Sequence, residues 1–451
     1  LDDREFLTRL YRAAVAAVDP AALVSEALGR RGNAVYVRSV SSAARREFVF
    51  APSRVVVLAV GKAAVPMTVA AAAALGRRLD EAFVVAPASS PAEGLPPGAR
   101  VLPASHPHPD AQSLAAGEAA LALAHRLRKG DLLLVLLSGG GSSLLAAPAD
   151  GLSLDDKART SALLMAAGAP ITDLNVVRGA LSRVKGGRLA AAAGPADVMT
   201  LVLSDLGDDG WHLVASGPTL GVPPRPAEAR AILDRYRLGP LVPASVRTFL
   251  ERPGGGEASP GGGPRWSVLL ADVRTALEGA RLEAHRLAFD ARIVPELLAG
   301  EARAAGRRLA LAGASAGNLR RRSVAARRLV TIFGGETTVT VRGPGRGGRN
   351  RELALSTAYA IAGIEGTTVL CAGTDGVDHD VSAAGAFADG TTLARAEALG
   401  LDPGRTLLDN DTGPFFEALG DAFQPGETGT NVGDVAFVLA ARPEAHAEPA
   451  S

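Results

Sequence analysis

Lys62 is one of four lysines in a chain that carries forty-four arginines, and it sits in AVGKAAVPM, where an apolar run meets a helix-forming one. A compact ammonium at a helix start is a place for an anion, because unpaired backbone N–H groups and the helix dipole act with it. Lysine and arginine differ most where a small charge must approach a phosphate, so a lysine retained in an arginine-biased sequence is informative. A solvated lysine on a helix start would give the same motif. The motif is not a Walker A loop, since GxxxxGK[ST] occurs nowhere in the chain.

Ser138-Gly139-Gly140-Gly141-Ser142-Ser143 follows the apolar run DLLLVLL. Its glycines permit positive φ and let backbone N–H groups approach a ligand, and its serines add hydroxyls. The spacing is not GxGxxG, which argues against a dinucleotide; a tight packing turn is the alternative to a ligand loop. In ITDLNVVRGALSRVKGGRLA (171–190), Arg178, Ser182 and Lys185 share one face of an expected basic helix, either anion-binding or solvated. GGETTVTVRGPGRGGRNREL (334–353) interleaves Arg342, Arg346, Arg349 and Arg351 with glycines. Guanidinium forks suit phosphate or carboxylate, so this stretch reads as an anion loop. GETGTNVGDV (426–435) adds hydroxyl and amide donors.

Carboxylates gather twice at expected strand ends: Asp205, Asp208 and Asp209 in LSDLGDDG, and Asp375, Asp378 and Asp380 in TDGVDHD. Mg²⁺ needs only one or two protein carboxylates beside phosphate oxygens and water, although Asp beside Gly also marks ordinary turns. His379 reads as a surface histidine, and His106 and His108 in SHPHPD as parts of a rigid turn with no third metal ligand. Glycine loops, a lysine, clustered arginines and two Asp groups are together the parts of phosphoryl transfer. That reaction asks for positioning, cationic stabilisation and a metal.

These groups need a scaffold. RVVVLAV (54–60), AFVVAP (82–87), DLLLVLL (131–137) and DVMTLVLSD (197–205) alternate with Ala/Leu-rich helical stretches. That pattern predicts a parallel sheet covered on both faces, with working loops at the strands' carboxyl ends. RPGGGEASPGGGPR (252–265) is the clearest break, a linker or a long surface loop. Two α/β domains are expected, 1–250 and 266–445. In the second, TTVTVRG (337–343) alternates as a half-buried strand, and TTVLCAGTDG (367–376) and GDVAFVLA (433–440) read as buried strands. A net charge of +1 and 4% aromatic residues give no reason to expect nucleic acid or an anionic membrane. No apolar run reaches membrane-spanning length. Cys371 alone allows neither an intrachain disulfide nor a cysteine metal cluster. The expectation is a cytoplasmic enzyme of small molecules, monomer or homodimer.

In this order, GKAAVPM, SHPHPD, LSGGGSSLLAAP, LNVVRGALSRVKGGRLA, LSDLGDDGWHLVASGPT, GGETTVTVRGPGRGGRNREL, TDGVDHD, LLDNDTGPFFEALGD and TGTNVGDV resemble the class II glycerate kinases. These are the glycerate 2-kinases whose C-terminal part is the MOFRL domain, and the resemblance covers residues 5–440 or so. It implies an N-terminal Rossmann-like domain with a parallel sheet, a smaller C-terminal mixed α/β domain, and an active site in the cleft between them. It also implies ATP- and Mg²⁺-dependent phosphorylation of the 2-hydroxyl of D-glycerate. The family lysine of the GKA motif matches Lys62 and the family arginine of GGRNQE matches Arg349, so both are expected to be catalytic. Asp205 is expected beside them, and Asp205 and Asp375 are the metal candidates. Ser138, Gly139, Gly140, Gly141, Ser142, Ser143, Arg178, Lys185, Glu336, Thr374, Asp375 and Asn431 are the expected substrate- and nucleotide-binding residues. The chain departs from the family motifs at Arg351, where Gln is common, at His379, where Gly is usual, and at Thr412-Gly413, where Ser-Tyr is usual. The rival readings are a hydroxypyruvate reductase, a label some family members carry, and a non-catalytic nucleotide-binding regulator. The first needs NAD(P)H, and the missing GxGxxG counts against it. The second has no need of Asp groups beside Lys and Arg.

Overall fold

A strand as uniformly apolar as DLLLVLL is stable only where both faces are covered, which is the interior of a parallel sheet. The computed structural model places it there. The structure describes residues 1–40, 46–106, 108–221, 225–252, 263–320, 328–379 and 383–440, without the side chains of 171, 208, 209 and 312–320. Asp380, the side chains of Asp208 and Asp209, most of the Gly/Pro break and RPEAHAEPAS therefore lie outside the described residues.

The chain divides into two compact units, Pro20–Ala271 and Leu1–Asp19 with Asp272–Ser451. After the helix Pro20–Ala27 the first unit forms an antiparallel meander, β1 (Leu28–Arg31), β2 (Ala34–Arg38) and β3 (Glu47–Phe50). Then come β4 (Arg54–Val60), β5 (Glu81–Pro87), β6 (Arg100–Ala104), β7 (Asp131–Leu137), β8 (Asp197–Leu203) and β9 (Arg265–Ala271). These six form one parallel sheet in the order β6-β5-β4-β7-β8-β9. The winding reverses between β4 and β7, so the crevice outside their carboxyl ends is the topological switch point, where such sheets bind ligands. The two loops meet closely there: Gly61 has φ +131°, and a Cβ on it would lie 2.5 Å from the Ser138 carbonyl oxygen. Four helices, Leu154–Ala166, Ile171–Ala180, Pro226–Arg235 and Ala244–Glu251, share a separate core around Leu164, Val177, Leu233 and Val246.

The expected basic helix over 171–190 is interrupted. It stops at Ala180. The Ser182 hydroxyl donates to the Ala147 carbonyl at 3.1 Å and accepts the N–H groups of Val184 and Lys185. Gly186 and Gly187, at φ +60° and +77°, then turn the chain into a second helix, Arg188–Ala192.

The second unit holds β10 (Asp290–Ile293), β11 (Leu329–Gly335), β12 (Thr367–Gly373), β13 (Gly385–Asp389), β14 (Ala422–Phe423) and β15 (Asp434–Ala440), in the order β10-β11-β15-β12-β13-β14. Only β10 and β11 run parallel, so this sheet is mixed. The helices Ala302–Arg320 and Arg349–Ile361 join its core through Leu309, Leu353, Val369 and Val438. Residues 337–343 do not form the expected strand; they make one isolated bridge, Thr338 to Glu301. Thr338 N–H donates to the Gly300 carbonyl at 2.8 Å, and three further donors go to side chains. Thr340 N–H meets the Glu301 carboxylate at 2.7 Å, and Asn410 Oδ1 takes the N–H groups of Arg342 and Gly343 at 2.7 and 3.0 Å.

The division differs from the expected 1–250 and 266–445 at both ends. β9 follows the Gly/Pro break yet pairs with β8, so the break lies within the first unit. The helix Asp3–Ala17 belongs to the second unit, where the Tyr11 hydroxyl donates to the Gly373 carbonyl at 2.9 Å and Phe6 stacks on Phe289.

Candidate active site

In the first unit, three neighbouring strands deliver their loops to one sheet edge. Lys62 follows β4, Ser138–Ser143 follows β7, and the half-buried Asp205 follows β8. Lys62 N–H donates to the Gly139 carbonyl at 2.9 Å, and the buried Ser138 hydroxyl accepts the Ala63 N–H at 3.0 Å. Gly140 is left-handed at φ +82°. A Cβ there would stand 3.3 Å from Lys62 Cγ and 3.2 Å from His106 Nε2. Among the described residues the N–H groups of Gly139 and Gly140 have no hydrogen-bond partner. The serines are less available. The Ser143 hydroxyl donates to the Gly140 carbonyl at 3.1 Å, and Ser142 Oγ lies 2.8 Å from both Lys185 Nζ and Ser216 Oγ. Ser216 is held in place by a backbone turn in which Ala215, Ser216 and Gly217 are all left-handed, at φ +55°, +60° and +58°.

Behind this loop lies a cavity of about 620 Å³, with Gly140, Ser142 and Ser143 in its wall together with Arg178, Lys185 and Lys157. Arg178 and Lys185 thus meet around one space although they do not share a helix. Burial pushes the Lys185 ammonium well below the usual lysine range, with Lys157 and Arg178 adding repulsion. Lys157 is pushed down to about 7, first by burial and then by Arg178 and Arg188. The sequence reading missed Lys157. The available signal was its rarity, as one lysine of four on the capped helix after Ser153. His106 and His108 also line this cavity.

In the second unit, Arg349 starts the helix Arg349–Ile361 and is fixed by carboxylates. Its Nε and Nη2 donate to the two oxygens of Asp434 at 2.6 and 2.9 Å, and its Nη1 faces Glu336 at 3.2 Å. Burial opposes its charge, but Asp434, Glu336 and Asp378 outweigh burial and hold it firmly cationic. The sequence reading missed Asp434, whose signal was the Gly-Asp step that opens β15. Arg351 is fully buried against Asp378, with Nε to Oδ2 at 3.1 Å. Arg349 keeps 31% of its side chain exposed, so it is the guanidinium that reaches solvent. Asp378 also accepts the N–H groups of Asn350 and Arg351 at 3.0 and 2.9 Å, capping the helix, and burial raises its carboxyl above the ordinary value. Asp378 is therefore structural.

Thr374 is buried with its hydroxyl engaged: it donates to the Gly433 carbonyl at 2.6 Å and accepts Val432 N–H at 2.9 Å. It fixes the 426–433 loop beside β12 and β15. Asp375 Oδ1 accepts Val377 N–H at 3.1 Å, and Asn431 Oδ1 accepts Gly433 N–H at 3.2 Å. Among the described residues, no three His, Cys, Asp or Glu stand together as a metal group.

Residues 6–251 match a domain of unknown function, DUF4147, and residues 329–434 match the MOFRL family. The D-glycerate 2-kinase of Thermotoga maritima is 37% identical over 86% of this chain and 90% of its own length. The chain belongs to the class II glycerate kinases. A crystal structure of glycerate kinase from Thermotoga maritima superposes with a TM-score of 0.80 at 34% identity, covering 97% of this chain and 99% of that one. A protein of Agrobacterium vitis named putative hydroxypyruvate reductase is 37% identical over 97% of this chain and 94% of its own. The glycerate kinase family thus carries both names, and the name alone does not separate the two chemistries.

Proposed function

We propose that this chain is a glycerate 2-kinase, moving the γ-phosphoryl group of ATP to the 2-hydroxyl of D-glycerate. The observation that carries the reading is the switch-point crevice, where Lys62 and a triple-glycine loop with Gly140 left-handed stand in place of the GxGxxG turn of a nicotinamide enzyme. Lys62 and Arg349 neutralise the transferring phosphoryl group, and the Gly139 and Gly140 N–H groups meet its oxygens or those beside it. Arg178 supplies supporting positive charge, and Lys185 does so when a bound anion offsets its burial. Glu336 and Asn431 bear on the orientation of Arg349 and its loop, and Asp375 takes the hydroxyl proton.

Mg²⁺ fits the donor set that is present. It asks for one or two hard carboxylates and completes its shell with water and phosphate oxygens, so a three-acid cage is not required. Asp205, one strand along from the glycine loop, would hold it, and bound Mg²⁺ would lower the negative charge of the phosphates. The reaction needs no reductant, which separates it from hydroxypyruvate reduction. Incubation with ATP and D-glycerate, with the product identified, tests the reading beside an NADH-oxidation assay with hydroxypyruvate. 2-Phospho-D-glycerate is the expected product. Formation of 3-phosphoglycerate overturns the regiochemistry, and NADH oxidation without phosphorylation overturns the class.

A further inference from the structure

Lys157 is 8% exposed, and its Nζ makes no hydrogen bond among the described residues. A buried, unpartnered ammonium is costly unless something supplies its counter-charge. Among the described residues no carboxylate lines the cavity that Lys157 shares with Arg178 and Lys185; the other titratable groups described in its wall are His106, His108 and Arg159, and Arg188 acts on Lys157 from nearby. The charge missing from this space is negative.

We infer that this cavity is the nucleotide half of the kinase site, with Lys157, Arg178 and Lys185 receiving the polyphosphate of ATP and the Leu154–Met165 wall receiving the base. The inference rests on the kinase reading and deepens it. Three features favour a nucleotide over D-glycerate. Three cations match a triphosphate, whereas one carboxylate would leave two of them uncompensated. About 620 Å³ suits a ligand much larger than a three-carbon acid. Leu154, Ala158, Ala162 and Met165 give the cavity an apolar side, which suits an aromatic base and offers nothing to a molecule with oxygen on every carbon. The position follows too, because the cavity adjoins Gly140, against which Lys62 packs.

Burial holds the Lys157 ammonium near 7 in the empty protein, so at pH 7.5 much of it is neutral. A bound polyphosphate favours the charged form, and binding then takes up a proton. The test is calorimetric titration of the full chain with ATP, ADP, inorganic tripolyphosphate and D-glycerate, each alone. Two buffers of different ionisation heat are used, on wild type and Lys157→Met. The variant should weaken ATP, ADP and tripolyphosphate at least tenfold, take up fewer protons on binding than wild type, since Lys185 remains in the cavity, and leave the KM for D-glycerate within twofold. Loss of a buried charge should not lower Tm, and Lys157→Gln repeats the test with a polar side chain. Unchanged nucleotide affinity in a folded variant overturns the inference, as does weakening confined to D-glycerate. Binding needs no turnover. A chain that binds ATP through Lys157 but phosphorylates nothing would fail the kinase reading alone, and a normal kinase indifferent to Lys157 would fail this one alone.

Discussion

Arg349 carries the most quantitative expectation. A guanidinium has five N–H donors. Three are directed at carboxylates of the protein: Nε and one Nη2 hydrogen at Asp434, and one Nη1 hydrogen at Glu336. One N–H on each terminal nitrogen remains, a pair with the geometry of a bidentate phosphoryl contact. Each charge-assisted hydrogen bond contributes about 1.5–3 kcal/mol, so losing both removes about 3–6 kcal/mol from the transition state. At about 1.4 kcal/mol per decade, Arg349→Met should lower kcat/KM by about 10²–10⁴. Arg349→Lys keeps the charge without the fork and should fall between the two. Arg349→Met also leaves Asp434, 2% exposed, with the Asn350 amide at 3.0 Å as its remaining side-chain donor. Breaking such a pair costs about 3–5 kcal/mol of stability, so rates must be read where circular dichroism shows both proteins folded. The assay is ADP release with the phosphoglycerate quantified. A folded Arg349→Met protein within about threefold of wild-type kcat/KM would refute the role.

Three further expectations rest on single residues. Lys62→Met should lower kcat by about 10³ or more with secondary structure intact; near wild-type turnover in the folded variant contradicts the assignment. Arg351→Met should destabilise the protein by about 3–5 kcal/mol at pH 8, because it strands the buried Asp378 carboxylate. The Asp378 carboxyl is already raised in the folded state, mainly by burial, and the variant raises it further. The folded form then binds more protons than the unfolded one, so the loss should shrink as pH falls through the folded value towards about 3.9. Urea titrations giving equal losses at pH 8 and pH 5 would rule this out. His379→Gly should stabilise by about 0.5–1 kcal/mol, since His379 is exposed with φ +68°, a conformation glycine adopts freely. A lower Tm in that variant would show that the histidine makes a compensating contact.

The parallel sheet was legible because β4 and β7 are apolar beyond their first residues and helical runs follow them, a pattern with few other solutions. Lys62, the 138–143 loop and Asp205 fell on one edge for the same reason, since strand ends can be read from a sequence. Three features were not legible. The strand expected at 337–343 has the right alternation, but three of its backbone donors are captured by Glu301 and Asn410, distant side chains that periodicity cannot anticipate. The helical face of Arg178 and Lys185 was inferred from spacing that Ser182 and the Gly186-Gly187 turn cancel, yet the fold brings both to one cavity. Asp434 and Lys157 matter through what lies across from them, and sequence neighbours do not report that.

The departures from the family motifs become intelligible in space. A Cβ on Gly413 would lie 3.1 Å from Arg351 Nη1 and 2.6 Å from the Arg346 carbonyl oxygen. A side chain at 413 would therefore enter the volume that the Arg351 guanidinium fills. In this chain Arg351, where Gln is common, and Gly413, where Tyr is usual, lie side by side, so the larger side chain stands next to the position that has none. The added charge is neutralised by Asp378, the residue that also caps the helix beginning at Arg349. Helix start and ion pair thus depend on one carboxylate, and the Arg349 fork keeps its own separate anchor in Asp434. The substitutions are absorbed behind the Arg349 guanidinium rather than at it, and its anchor on Asp434 is untouched by them.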